Sequence, residues 1–238
     1  MSSPFIQSIS IDWDRIAEDS YLRNIESLCG LRQMVFTNPI TFFVGENGSG
    51  KSTILEAIAV ASGFNPEGGT KNYNFSTYDS HSELWEALRI SRGYKKARWG
   101  YFLRAESFYN VATKEMEYAD FRHPSERYHE RSHGESFLAL MQRQLKPNGL
   151  YFLDEPEAAL SPQRQLTLLM EIYECAKQAS QFLIVTHSPI LLGIPGADIW
   201  TFDDGPVHQC EYEDTDSYQV TEMFINNRKQ LLRRLLNL

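Results

Sequence analysis

Apolar residues in this chain gather in short unbroken runs set apart by polar, glycine-bearing stretches. Ile40-Thr41-Phe42-Phe43-Val44, Leu150-Tyr151-Phe152-Leu153 and Phe182-Leu183-Ile184-Val185 lack the alternation of a half-exposed strand. Such runs mark strands covered on both faces of a parallel sheet. Elsewhere the spacing becomes helical. Ile54, Leu55, Ile58 and Ala61 share one face of a helix that begins at Lys51. Phe137, Leu138, Leu140, Met141 and Leu145 predict a second from Glu135, closed by Pro147-Asn148-Gly149. Leu166, Leu169, Met170, Ile172 and Tyr173 predict a long third helix, with Pro162 at its start. Strands alternating with helices predict an α/β fold on a mostly parallel sheet.

The other segments fill in around this core. Phe5, Ile6, Ile9 and Ile11 suggest an opening strand of imperfect spacing, and Met34-Val35-Phe36 a second. Between them, Tyr21 to Leu31 reads as a short helix or loop. Tyr21 is the nearest aromatic that could face a ligand, with packing its plainer role. Residues 64–81, rich in Asn, Gly, Ser and Tyr, read as an exposed loop. Ser82 to Arg92 is expected to be a helix capped by Ser82, with Leu84, Trp85 and Leu88 as its stripe and Gly93 as its end. A strand comes next at Tyr101-Phe102-Leu103, and Val111 to Arg131 reads as a polar, irregular flap. Ile199 to Phe202 and Val207 to Tyr212, joined by Asp203-Asp204-Gly205-Pro206, predict an edge hairpin, and the chain is helical from Val220. The expectation is one domain over residues 1–238, with antiparallel edge strands and a small helical subregion at 64–145.

Composition narrows the field. With 42% hydrophobic and 23% charged residues among 238, the chain can bury a sizeable core. A net charge of −8 argues against coating nucleic acid by bulk electrostatics. Arg92, Lys95, Lys96 and Arg98 form either a local basic patch or an ordinary solvated face. Cys29, Cys175 and Cys210 are far apart and form no CxxC pair, which fits structural thiols in a reducing compartment. No apolar run approaches the ~18 residues of a membrane span, and the first residues lack a basic region followed by an apolar core. A cytoplasmic protein is expected.

The candidate chemistry begins where the first core strand breaks. Gly45, Glu46, Asn47, Gly48, Ser49 and Gly50, then Lys51, Ser52 and Thr53, place a GxxxxGKS loop between a strand and a helix. Backbone N–H groups converging inside such a loop, with the positive end of the helix, can wrap a polyphosphate. Lys51 would reach the β- and γ-phosphates, and the Ser52 hydroxyl would ligate Mg²⁺. Leu150 to Leu153 delivers Asp154 and Glu155 at a strand's C-terminal end, where open α/β sheets bind ligands. Asp154 can hold the Mg²⁺ shell, and Glu155 can orient and deprotonate a water.

These stretches, with Ser132-His133-Gly134-Glu135 and Thr186-His187-Ser188, resemble an ABC-type ATPase across most of the chain. Gly45 to Ser52 looks like Walker A, Leu150 to Glu155 like Walker B, and Ser132 to Glu135 like the signature whose usual form is SGGQ. Thr186 to Ser188 resembles the switch-histidine loop. The resemblance implies two heads paired in opposite orientation, with MgATP between Walker A of one and the signature of the other. Ser132 and Gly134 would then contact the γ-phosphate held by the partner, and His187 the one in its own subunit.

Glu135 for Gln, His133 for Gly, and Ser161 where transporters usually carry Asp all depart from transporter subunits. The pattern is closer to DNA-repair, chromosome-maintenance and overcoming-lysogenization-defect heads. The short interval from Ser52 to Ser132 leaves no room for a long coiled coil, and the stretch after His187 none for a nuclease domain, so a compact stand-alone ATPase is expected. No glutamine fits the Q-loop, for which Glu106 is a weak substitute. Three functions stay open: an ATP-hydrolysing homodimer, an ATP-gated clamp on DNA or a partner protein, and a transporter subunit.

One competing pattern is His129-Glu130-Arg131-Ser132-His133, a literal HExxH. It and the phosphate-loop pattern each arise by chance in roughly one chain in a hundred, so context decides. Polar residues precede it and Gly134 comes at once after it, whereas zinc ligation of this type needs a long apolar-faced helix.

Overall fold

The computed structural model describes residues 4–71, 82–104, 133–203 and 205–237. The elements in chain order are β1 (Ile6–Ile11), α1 (Glu26–Cys29), β2 (Gln33–Val35), β3 (Ile40–Val44), α2 (Lys51–Ala61), α3 (Leu84–Ala87), β4 (Leu88–Arg92) and β5 (Trp99–Arg104). They continue with α4 (His133–Gln144), β6 (Gly149–Asp154), α5 (Pro162–Lys177), β7 (Gln181–Val185), α6 (Pro189–Leu192), β8 (Asp198–Thr201), β9 (His208–Cys210) and α7 (Asp216–Leu235).

The unbroken apolar runs become the centre of a six-stranded sheet ordered β5-β6-β7-β3-β8-β9. All its neighbours are parallel except the edge pair β8–β9. Every residue of β3 and β7 is buried, because both faces are covered. Phe43, Phe102, Phe152, Leu183 and Val185 face one core with Ile54, Leu55 and Ile58 of α2. Phe42, Tyr101, Tyr151, Leu153 and Ile184 face the other with Phe137, Leu140 and Met141 of α4, Leu168 and Ile172 of α5, and Leu191 of α6. Alternate residues of each strand thus serve opposite layers, which is why no polar position interrupts them.

The N-terminal strands form an antiparallel sheet ordered β2-β1-β4. A register shift between Ile6 and Ser8 accounts for the uneven spacing of the opening strand, since an extra residue moves the next side chains to the other face. Gln181, fully buried at the start of β7, joins the two sheets. Its Oε1 accepts the Ile6 N–H at 2.8 Å and its Nε2 donates to the Ile6 carbonyl at 2.9 Å.

Four expectations need correction. The helix expected over 82–92 stops at Ala87. Leu88 is extended, and from there the chain pairs with β1 as β4. The open edge of β1 offers Leu88 and Ile90 more than a helical turn would, a tertiary override of local propensity. Ser82 does accept the Leu84 N–H, at 3.3 Å. In α5 the buried side chains are Leu168, Ile172, Cys175 and Ala176, whereas Leu166, Met170 and Tyr173 are exposed. Tyr21, in a 3-10 turn, is 55% exposed and lies outside the core. The terminal helix starts at Asp216, earlier than expected, with the Thr215 side chain accepting the Tyr218 N–H, and no residue of it is buried. The Val111 to Arg131 flap lies outside the described residues, as do Glu106 and Ser132.

Candidate functional site

β6, β7 and β3 lie side by side, and their register sets Asp154 beside Val185 and Val185 beside Phe43. The segments beyond the three strand ends therefore emerge at one level: the glycine-rich loop after β3, Glu155 after β6, and His187 after β7.

The loop is shaped by its glycines and by Lys51. Gly50 has φ +90°, and a Cβ there would come within 2.9 Å of Ile25 and Leu28, so α1 packs on bare backbone. Ser27 of α1 donates its hydroxyl to the Ser49 carbonyl. Lys51 is buried, and its Nζ donates to the carbonyls of Gly45 at 2.7 Å and Glu46 at 2.6 Å. Burial lowers the Lys51 pKa, while Asp203, Glu155, Asp154 and Glu46 counter this by favouring its charge. Glu46, Asn47 and Gly48 are exposed at the crest, and Thr53 stands in the first turn of α2.

Ser52 and Asp154, read separately from the sequence, meet directly: the Ser52 hydroxyl donates to Asp154 Oδ1 at 2.8 Å. Two hard oxygen donors at this distance, beside a phosphate-type loop, suit a magnesium ion. Glu155 has φ +47°, a strained backbone for a non-glycine residue. Its N–H is held by the Val185 carbonyl at 3.0 Å. Its carboxylate Oε1 lies 3.8 Å from His187 Nε2, and that nitrogen has no hydrogen-bond partner among the described residues. A base candidate and an unpaired ring nitrogen thus share one mouth.

Gly134 and Glu135 begin α4. A Cβ on Gly134 would lie 2.8 Å from the Ala159 carbonyl, and Glu135 pairs with Arg164 at 2.9 Å. This helix start therefore packs on the turn after β6 and on the first turn of α5. Of the HExxH pattern only His133 is described, as the first residue of α4. No group of three or more metal-ligating side chains occurs among the described residues.

Sequence reading missed two carboxylates. Asp203, just past β8, accepts the Glu46 N–H at 2.7 Å and lines a cleft of about 630 Å³ with Gly45, Glu46 and His187. Its position at the end of a strand next to β3 was the available signal. Glu157 accepts the His187 N–H at 2.6 Å, and nothing local to Glu157 announces that partner.

A parallel sheet with a glycine-rich phosphate loop and a Walker B-type carboxylate pair defines a P-loop α/β protein. The family model described as AAA domain matches residues 21–183, more than half of the chain, and the chain belongs to that family. This membership bears out the resemblance read from the sequence. No curated protein matches the chain. Among solved structures, it is similar to an SMC head domain from Thermotoga maritima, with 14% identity and TM-score 0.48 over 87% of this chain and 98% of that one. It is also similar to an ATP-binding cassette of an ABC transporter in its ADP conformation, with 16% identity and TM-score 0.47 over 94% and 99%. Among the described residues, no helix is long and apolar enough to cross a membrane.

Proposed function

We propose that the chain binds MgATP and hydrolyses it to ADP and phosphate in a homodimer closed by the nucleotide. The main support is the 2.8 Å contact of Ser52 with Asp154, beside Glu155 and His187 on adjacent strands. Backbone N–H groups from Gly45 to Thr53, apart from the Glu46 N–H that Asp203 accepts, and the N-terminus of α2 hold the phosphates. Lys51 exchanges its two carbonyl acceptors for phosphate oxygens. Ser52 and Asp154 would hold Mg²⁺, which when bound neutralises charge on the phosphate oxygens. Glu155 orients a water and takes its proton as the water oxygen bonds to the γ-phosphorus and the bond to the β,γ-bridging oxygen breaks. His187 Nε2 faces the γ-phosphate. Ser132, Gly134 and Glu135 of a second copy close the site, the N-terminus of α4 at Gly134 and Glu135 favouring anionic charge.

The test is steady-state ATP hydrolysis with nucleotide binding and light scattering. Lys51→Ala should lose binding. Glu155→Gln should bind ATP, lower kcat by at least about 100-fold and accumulate as a dimer. Normal turnover by Glu155→Gln would remove Glu155 from the role of base. A second reading, an ATP-gated clamp on DNA, draws on the exposed Lys95, Lys96 and Arg98 between β4 and β5. ATPase rates that do not change with duplex DNA, and no retention on it, count against that reading.

A further inference from the structure

We propose that Glu157 is a positioning residue that fixes His187 against Glu155 by holding the His187 peptide N–H on its carboxylate. The inference rests on the hydrolytic reading above and adds a residue to it. Glu157 stands in the turn between β6 and α5, and its side chain crosses to the loop after β7, where Oε1 meets the His187 N–H at 2.6 Å.

Both ends of this bond are otherwise secured in ways that leave His187 itself free. The turn is pinned by Ala158 N–H to the Glu155 carbonyl at 3.1 Å and by Leu160 N–H to the Glu157 carbonyl at 2.8 Å. Beyond His187, Ser188 is held by its hydroxyl on Gln165 at 2.7 Å and by its N–H on Thr186 at 3.0 Å. The ring nitrogen facing Glu155 has no bond of its own among the described residues. The His187 backbone is therefore the point at which its distance from Glu155 is set, and the bond to Glu157 sets it.

The position calls for an acceptor with the right reach more than for a charge. Burial pushes the Glu157 carboxyl above the usual carboxylate range, and the His187 N–H only partly offsets this. A glutamine keeps both length and acceptor oxygen, whereas an aspartate keeps the charge but falls one methylene short.

The experiment compares Glu157→Gln, Glu157→Asp and Glu157→Ala by kcat, KM for ATP and nucleotide affinity, each also in a His187→Ala background under single-turnover conditions. Glu157→Asp should lower kcat by about 10-fold or more, the loss expected when one hydrogen bond is absent from the transition state. KM should stay within about 3-fold, since a positioning defect spares ground-state binding. Glu157→Gln should restore most of kcat. In the His187→Ala background, Glu157→Asp should add less than about 3-fold, because the two act through one another. An aspartate variant more active than the glutamine one would overturn the proposal. So would an Asp defect of equal size with and without His187. If Glu157→Ala does not fold, the Gln and Asp variants decide alone. Glu155→Gln run alongside separates the two readings: if it turns over normally, the hydrolytic reading fails. If it is inactive while Glu157→Asp matches wild type, only the role of Glu157 fails.

Discussion

Glu155 and the three cysteines show how much one residue's surroundings change its chemistry. At φ +47°, Glu155 occupies a backbone region that costs of order 1–3 kcal/mol unless neighbours enforce it. The Val185 carbonyl enforces it here. The thiols differ by burial and by charge. Cys29 is exposed, while burial and the nearby Asp214 and Glu211 push the Cys210 pKa up to about 11. At pH 8 only about 0.1% of such a thiol is thiolate, the reactive form. A disulfide-exchange reagent at that pH should thus label Cys29 first, with Cys175, whose pKa burial also raises, and Cys210 lagging far behind. Mass mapping of the labelled peptides checks the order, and early labelling of Cys210 would show that its carboxylate surroundings do not persist in solution.

At the scale of elements, the strands were legible and the faces of helices were not. β3, β6 and β7 were readable because full burial on both sides leaves an apolar run with no second interpretation. The phosphate loop was readable because its glycines and Lys51 act within a few residues of one another. In α5, Leu166-Met170-Tyr173 and Leu168-Ile172-Cys175 are both helically spaced, and only the sheet beneath selects the second. β4 depended on the unpaired edge of β1, far away in sequence. Glu157 and Asp203 were missed for the same reason, since their partners His187 and Glu46 are brought to them by the fold alone. Two hydroxyls, of Tyr151 and Ser180, hold the junction of α4 and β6. Tyr151, fully buried in β6, accepts the Lys146 N–H at 2.6 Å, and its proton has the Lys146 carbonyl at 2.8 Å. The Lys146 carbonyl keeps the Ser180 hydroxyl at 3.1 Å, so Tyr151→Phe should cost about 1–2 kcal/mol from the Lys146 N–H left unpaired. Thermal melting should register a drop of about 2–6 °C. An unchanged melting point would mean that water replaces the hydroxyl.

At the scale of the whole molecule, the two sheets are separate ladders joined by a side chain. Gln181→Met would keep the volume at the start of β7 but leave the Ile6 N–H and carbonyl without their partner inside the protein. Two buried groups left unbonded should cost about 2–4 kcal/mol, and denaturant titration should show this as a lower midpoint with unchanged slope. The same link also governs local opening. Amides in weakly packed parts of a fold trade their hydrogens with solvent through local opening. Ile6 is clamped through Gln181 to a strand whose every residue is buried. Its amide should therefore take up deuterium as slowly as those of Leu183 and Ile184, on the clock of global unfolding.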